Sequence, residues 1–114
     1  MKIQYASDLH LEFKDNSNYL KDNPIQPIGD ILVLSGDIVH FHLIDQHDWF
    51  FDYVTANFKF TYLVPGNHEY YHSDISSIQF PIHIRDNVRY VNNESIIHDN
   101  VRLIFSTLWS NISI

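Results

Sequence analysis

Three short polar clusters hold the residues that could do chemistry: Asp8-Leu9-His10, Gly36-Asp37 and Gly66-Asn67-His68-Glu69. Each follows an apolar run. In an extended segment residues i and i+2 face the same side, so Asp8 and His10 aim a carboxylate and an imidazole at one point. The glycines before Asp37 and Asn67 let the chain turn sharply there. If the apolar runs lie side by side, Asp8, His10, Asp37, Asn67 and His68 meet at one sheet edge. Oxygen and imidazole donors without thiolate suit divalent Mn, Fe, Co, Ni or Zn. Asp8 or Asp37 alone could be a helix cap or a turn former. Three such clusters, each ending a strand, point instead to one shared metal site.

The elements that must hold these clusters follow from hydrophobic periodicity. Residues 2–7 read as a first strand. Residues 11–30, rich in Asn, Asp, Lys and Pro, read as a long irregular connection. Ile31-Leu32-Val33-Leu34 is a continuous apolar run, the pattern of a strand buried on both faces. Residues 40–58 change to a helical period. Leu43, Ile44, Phe50, Phe51, Val54 and Phe58 fall on one face, and Asp45, Asp48 and Asp52 mainly on the other. Residues 60–64 form a third strand, stopped by Pro65-Gly66. Residues 73–80 read as a short helix ended by Pro81. Residues 88–91, 95–98 and 101–105 read as short strands, with Asp99-Asn100 as the last turn. Strand, loop, strand, helix, strand is a βαβ order, which places ligands at the carboxyl ends of parallel strands. The later strands suggest antiparallel pairing. The expected fold is α/β and layered, with a mixed sheet.

Composition narrows the function classes. The chain has 114 residues, 45% hydrophobic and 18% charged, which is a globular balance. Fourteen acidic against seven basic residues give a net charge of -7, so no nucleic-acid-binding patch or polybasic membrane anchor is expected. The absence of cysteine excludes disulfides, thiolate zinc sites, iron–sulfur clusters and cysteine nucleophiles. Residues 1–13 lack the apolar core of a secretory signal. The longest aliphatic stretch is far too short for a membrane segment. A cytoplasmic location is the resulting expectation.

The set D-x-H, then G-D, then G-N-H-E resembles the calcineurin-like metallophosphoesterase superfamily. The longer strings Ser7-Asp8-Leu9-His10-Leu11-Glu12 and Val64-Pro65-Gly66-Asn67-His68-Glu69 strengthen the likeness. Thr107-Leu108-Trp109-Ser110 is similar to a tract in small members of that superfamily. The resemblance runs from Met1 to about Ser110. It implies a binuclear site with two divalent metal ions. Asp8 and His10 would bind the first, Asp37 would bridge both, and Asn67 would bind the second. His68 would contact the phosphate and protonate the leaving oxygen, while a hydroxide held between the ions attacks phosphorus in line. Paired cations acidify water and clamp the transferring group, and histidine is an acid suited to neutral pH.

Two departures from the family pattern bear on activity. The family carries further metal histidines downstream, ending in a G-H-x-H pair, and this sequence has no G-H-x-H. His40-Phe41-His42 has the H-x-H spacing but lies at the expected start of a helix. Many members also place an aspartate three residues after the bridging one, to orient the catalytic histidine. That position is His40 here, which leaves either Glu69 or no residue to orient His68. Glu69 and His40 are thus candidates to support the site from behind. The resemblance implies a single, apparently truncated domain over residues 1–114, a partial α-β-β-α sandwich. Its expected chemistry is metal-dependent hydrolysis of a phosphoester of unread class, weak or absent in this chain alone.

Two other readings compete. His68-Glu69-Tyr70-Tyr71-His72 fits H-E-x-x-H, the zinc peptidase motif, which needs both histidines on one face of a helix. A non-catalytic remnant with weak metal binding is the second alternative. Finally, apolar residues crowd positions 90–109. One face of those strands lacks a cover, so self-association or a completing partner chain is expected.

Overall fold

The computed structural model describes residues 1–109; Ser110, the last residue of the Thr107-Leu108-Trp109-Ser110 string, lies outside the described residues. The chain forms β1 (Ile3–Ala6), α1 (Lys14–Asp22), β2 (Ile31–Ser35), a 3-10 segment (Phe41–His47) running into α2 (Asp48–Asn57), and β3 (Phe60–Val64). Single 3-10 turns at His68–Tyr70 and Ile75–Ser77 precede β4 (Ile82–Arg85), β5 (Val88–Tyr90), β6 (Glu94–His98) and β7 (Val101–Phe105).

Five strands make one mixed sheet in the order β1-β2-β3-β5-β4. β1, β2, β3 and β5 run parallel, and β4 is antiparallel to β5. β6 and β7 form a separate antiparallel hairpin. Alternation along β2 explains the layers. Leu32 and Leu34 face the helical side, packed with Phe50, Phe51, Val54 and Leu63. Ile31 and Val33 face the hairpin, packed with Tyr62, Val91, Phe105 and Leu103. Each such aliphatic or aromatic side chain contributes about 1.5–3 kcal/mol when buried. This is the layered α/β architecture with a mixed sheet expected above. No helix among the described residues is long and apolar enough to cross a membrane.

Four local expectations are corrected. Residues 11–30 are not wholly irregular, because α1 occupies Lys14–Asp22. Its sequence, Lys-Asp-Asn-Ser-Asn-Tyr-Leu-Lys-Asp, lacks an apolar stripe. Leu20 alone packs on the helical-side core, and polar contacts do much of the holding. Ser17 Oγ donates to the Leu11 carbonyl at 2.5 Å, and Asn16 Nδ2 donates to the carbonyls of Leu9 and His10 at 3.2 and 3.3 Å. The expected helix over 40–58 is a 3-10 segment followed by the shorter α2. The expected helix over 73–80 is one turn, capped by the Asp74 side chain. Residues 82–85 form the unexpected β4. Its Ile-His-Ile-Arg alternation is the pattern of a half-buried strand, missed where it directly follows Pro81, and Ile82 and Ile84 pack on the helical-side core.

Candidate metal centre

β1, β2 and β3 are neighbours and parallel, so their carboxyl ends form one row. The three polar clusters leave from that row. Beyond β1 the chain keeps pairing with the loop after β2. Asp8 N donates to the Gly36 carbonyl at 2.9 Å, His10 N to Asp37 O at 3.0 Å, and Leu11 N to Ile38 O at 2.8 Å. Asp8, His10 and Asp37 adopt left-handed backbone angles, with φ of 58°, 46° and 56°. Period-2 extended geometry therefore does not bring Asp8 and His10 together, as the spacing suggested. Alternating left-handed residues do. Non-glycine residues rarely adopt this region, at roughly 1–3 kcal/mol each, and they concentrate at functional sites.

Two glycines let the loops close. Gly36 has φ of 97°, and a Cβ there would stand 3.2 Å from the Gly66 amide nitrogen. A Cβ on Gly66 would overlap Oδ1 of Asp37. The second and third loops touch because neither position carries a side chain.

Glu69 locks that contact from beneath. It is fully buried, at 0% exposure. Its Oε1 accepts from the Asp37 and Gly66 amides at 2.8 and 2.7 Å. Its Oε2 accepts from the Ile38 amide and the Tyr90 hydroxyl, both at 2.8 Å. The expectation that Glu69 orients His68 is corrected, since all four of these bonds go elsewhere. A carboxylate this deep is stable only when its lone pairs are filled, and backbone amides of two loops fill three of them. Burial and the Glu69 charge push the Tyr90 hydroxyl well above the ordinary tyrosine value, so it stays a donor.

The structure brings Asp8, His10 and Asp37 together, with ligand atoms all within 4.8 Å of one another. Asp37 Oδ1 also accepts from the His68 amide at 2.9 Å, which fixes its carboxylate plane. The Asn67 side-chain oxygen faces both Asp37 oxygens at 3.3 Å with no donor between them. Turned round, its amide nitrogen would donate to both. That orientation pairs the amide with the carboxylate, and the same side chain rotated would offer its oxygen to a cation. Two carboxylates, one imidazole and one amide oxygen fit a divalent ion of hard or borderline character.

Glu12, unassigned by the sequence reasoning, sits at the centre of the histidines. Its Oε1 lies 3.0 Å from His10 Nδ1, 3.2 Å from His68 Nδ1 and 3.5 Å from His40 Nε2. Its one sequence signal is its place in the string Ser7-Asp8-Leu9-His10-Leu11-Glu12. His40 is buried at the rim, its ring 6.2 Å from that of His68. Tyr71 stacks on His68 with ring centres 4.4 Å apart. Burial works to raise Glu12, but hydrogen bonds from His10, its own backbone and His68 hold it below the ordinary glutamate range. Burial works to lower His10, but the Glu12 bond and charge, then Asp37 and Asp8, raise it above the ordinary imidazole value. Burial, despite the opposing charge of Glu12, lowers His40, and neighbouring histidines add to that.

The zinc peptidase pattern does not survive the geometry. His68–Tyr70 is a single 3-10 turn, and His72 has φ of 62°, so no continuous helix carries both histidines. Glu69, the base of that motif, is buried and fully engaged.

An uncharacterised protein of Acanthamoeba polyphaga mimivirus is 35% identical over 133 aligned positions, which take in 97% of this chain and 45% of that protein. The chain thus spans about half the length of this relative. No solved structure matches at a significant level. The family profile for calcineurin-like phosphoesterases matches residues 1–109, the whole of the described fold from β1 past β7. With nearly its full length so matched, the chain belongs to the calcineurin-like phosphoesterase family.

Proposed function

We propose that the chain serves metal-dependent hydrolysis of a phosphoester. Asp8, His10, Asp37 and Asn67 would hold two divalent ions, with Mn the first to try. Bound there, such ions supply Lewis-acid polarisation of the phosphoryl oxygens and an activated water. The chain's own residues do the rest. Asp37, held by the His68 amide and placed by Glu69, keeps its carboxylate between the two halves of the donor set. His68, its Nδ1–H against Glu12, would need a second proton on Nε2, as the imidazolium, and would hand that proton to the leaving oxygen, ending as the neutral Nδ1–H ring.

The convergence of the Asp8, His10 and Asp37 donor atoms carries this reading. The test is hydrolysis of a generic aryl phosphodiester and monoester, with Mn and with chelator. Rates restored by Mn and abolished by chelator are expected; undiminished hydrolysis in chelator would refute a metal mechanism.

A covering layer belongs to the same proposal. Ile3 and Tyr5 on β1, Ile97 on β6, and Val101 and Ile104 on β7 are exposed apolar side chains, Tyr5 and Ile104 to 80% and 75%. The hairpin covers β2 and β3 but leaves β1 bare. A second chain, or a further segment of a longer one, would cover that face and complete the sandwich.

A further inference from the structure

We propose that Glu12 is a positioning residue that serves two histidines through one oxygen. It holds His10 with Nε2 turned to the metal, and it holds His68 with Nε2 turned to the phosphoester. The proposal rests on the phosphoesterase reading for the purpose of the two rings, but not for their geometry.

A carboxylate has no proton to donate, so both imidazoles must donate to it. Glu12 Oε1 is 3.0 Å from Nδ1 of His10 and 3.2 Å from Nδ1 of His68. In a neutral ring a proton on Nδ1 leaves the lone pair on Nε2. His10 Nε2 accordingly points the other way, 3.7 Å from Asp8 Oδ1, into the donor set. A carboxylate behind a ligating histidine fixes its tautomer and raises its basicity. The two rings meet edge to face at 4.6 Å, so neither turns without displacing the other. One oxygen thereby ties the orientation of a metal ligand to that of a proton donor.

The burial of Glu12 sharpens the contrast with Glu69. Only 7% of the Glu12 side chain is exposed, and its Oε2 is buried without a partner. A residue kept for the fold would fill both oxygens, as Glu69 does. Glu12 leaves one empty and spends the other on the two histidines of the site. Its backbone is fixed independently. Leu11, 1% exposed, anchors the preceding residue, and Asn16 clamps the carbonyls of Leu9 and His10.

The test uses the full chain, with Glu12→Gln and Glu12→Ala beside wild type. Zinc binding is read by calorimetry, and imidazole tautomers by nitrogen-15 NMR with and without zinc. Wild type should show Nδ1–H on both His10 and His68. Glu12→Ala should weaken zinc by about 10–100-fold and release His68 into a tautomer mixture. Glu12→Gln, which keeps an acceptor without charge, should fall between them. Unchanged affinity in Glu12→Ala with both rings still Nδ1–H would overturn the proposal. So would loss of a cooperative melt in both variants, which would assign Glu12 to the fold. If wild type binds neither zinc nor Mn, the metal-dependent phosphoesterase reading fails, and the tautomers of the metal-free protein still decide the role of Glu12.

Discussion

Tyr90 on β5 donates its hydroxyl to Oε2 of Glu69 at 2.8 Å, and both side chains are fully buried. The bond reaches from the core on the helical side of the sheet to the two loops that hold Asp37 and Asn67. It makes the position of the candidate metal centre depend on a strand that contributes no donor to it. Tyr90→Phe should therefore cost about 1–3 kcal/mol, the range for orphaning a buried acceptor. Thermal melts of the metal-free protein measure it, and an unchanged melting temperature would mean the bond carries no weight.

Gly66→Ala should act on the site more than on the core. The added Cβ overlaps the Asp37 carboxylate, so Asp37 must leave its place. Metal affinity should fall at least as far as for Asp8→Ala. Equal affinity in Gly66→Ala and wild type, read by calorimetry, would show that Asp37 is not needed where it stands.

His68→Ala should spare metal binding and reduce turnover by about 10²–10⁴-fold, the usual range for losing a general acid. Asp37→Ala should abolish both. Should His68→Ala lose metal as completely as Asp37→Ala, His68 would be a ligand and the roles assigned here would be exchanged.

Metal affinity should fall on acidification from a higher pH than an ordinary histidine would give. A ligating imidazole must be deprotonated, and His10 is raised above its ordinary 6.5, despite burial, chiefly by Glu12. Protons then compete with metal from that raised value downwards. Glu12→Gln removes the main cause and should move the onset to lower pH. Calorimetry between pH 5 and pH 8 reads both curves; coincident onsets would contradict the coupling.

The purified chain should self-associate. Tyr5, Ile104 and Leu108 are exposed to 80%, 75% and 92%. β7 has one partner strand, so its other edge is open among the described residues. Light scattering across concentrations tests this, and a monodisperse monomer at high concentration would show that the bare face tolerates water.

The sequence alone determined the parallel β1, β2 and β3, the bounds of β3 and β7, and the expectation that Asp8, His10, Asp37, Asn67 and His68 gather at one sheet edge. Those features are local. A buried strand writes itself as an apolar run, and a polar cluster after a glycine marks where it ends. α1 was illegible because polar side chains hold it to the backbone of the segment just before it, at Leu9, His10 and Leu11, and such bonds leave no hydrophobic period. Glu69 and Glu12 were present in recognised strings, yet their work depended on packing. Glu69 acts through amides at Gly66, Asp37 and Ile38 and a hydroxyl at Tyr90, partners brought to it by the β2–β3–β5 register. Glu12 acts on His68 from 56 residues away. Which carboxylate meets which imidazole is a question of three-dimensional distance, and only the closed sheet decided it.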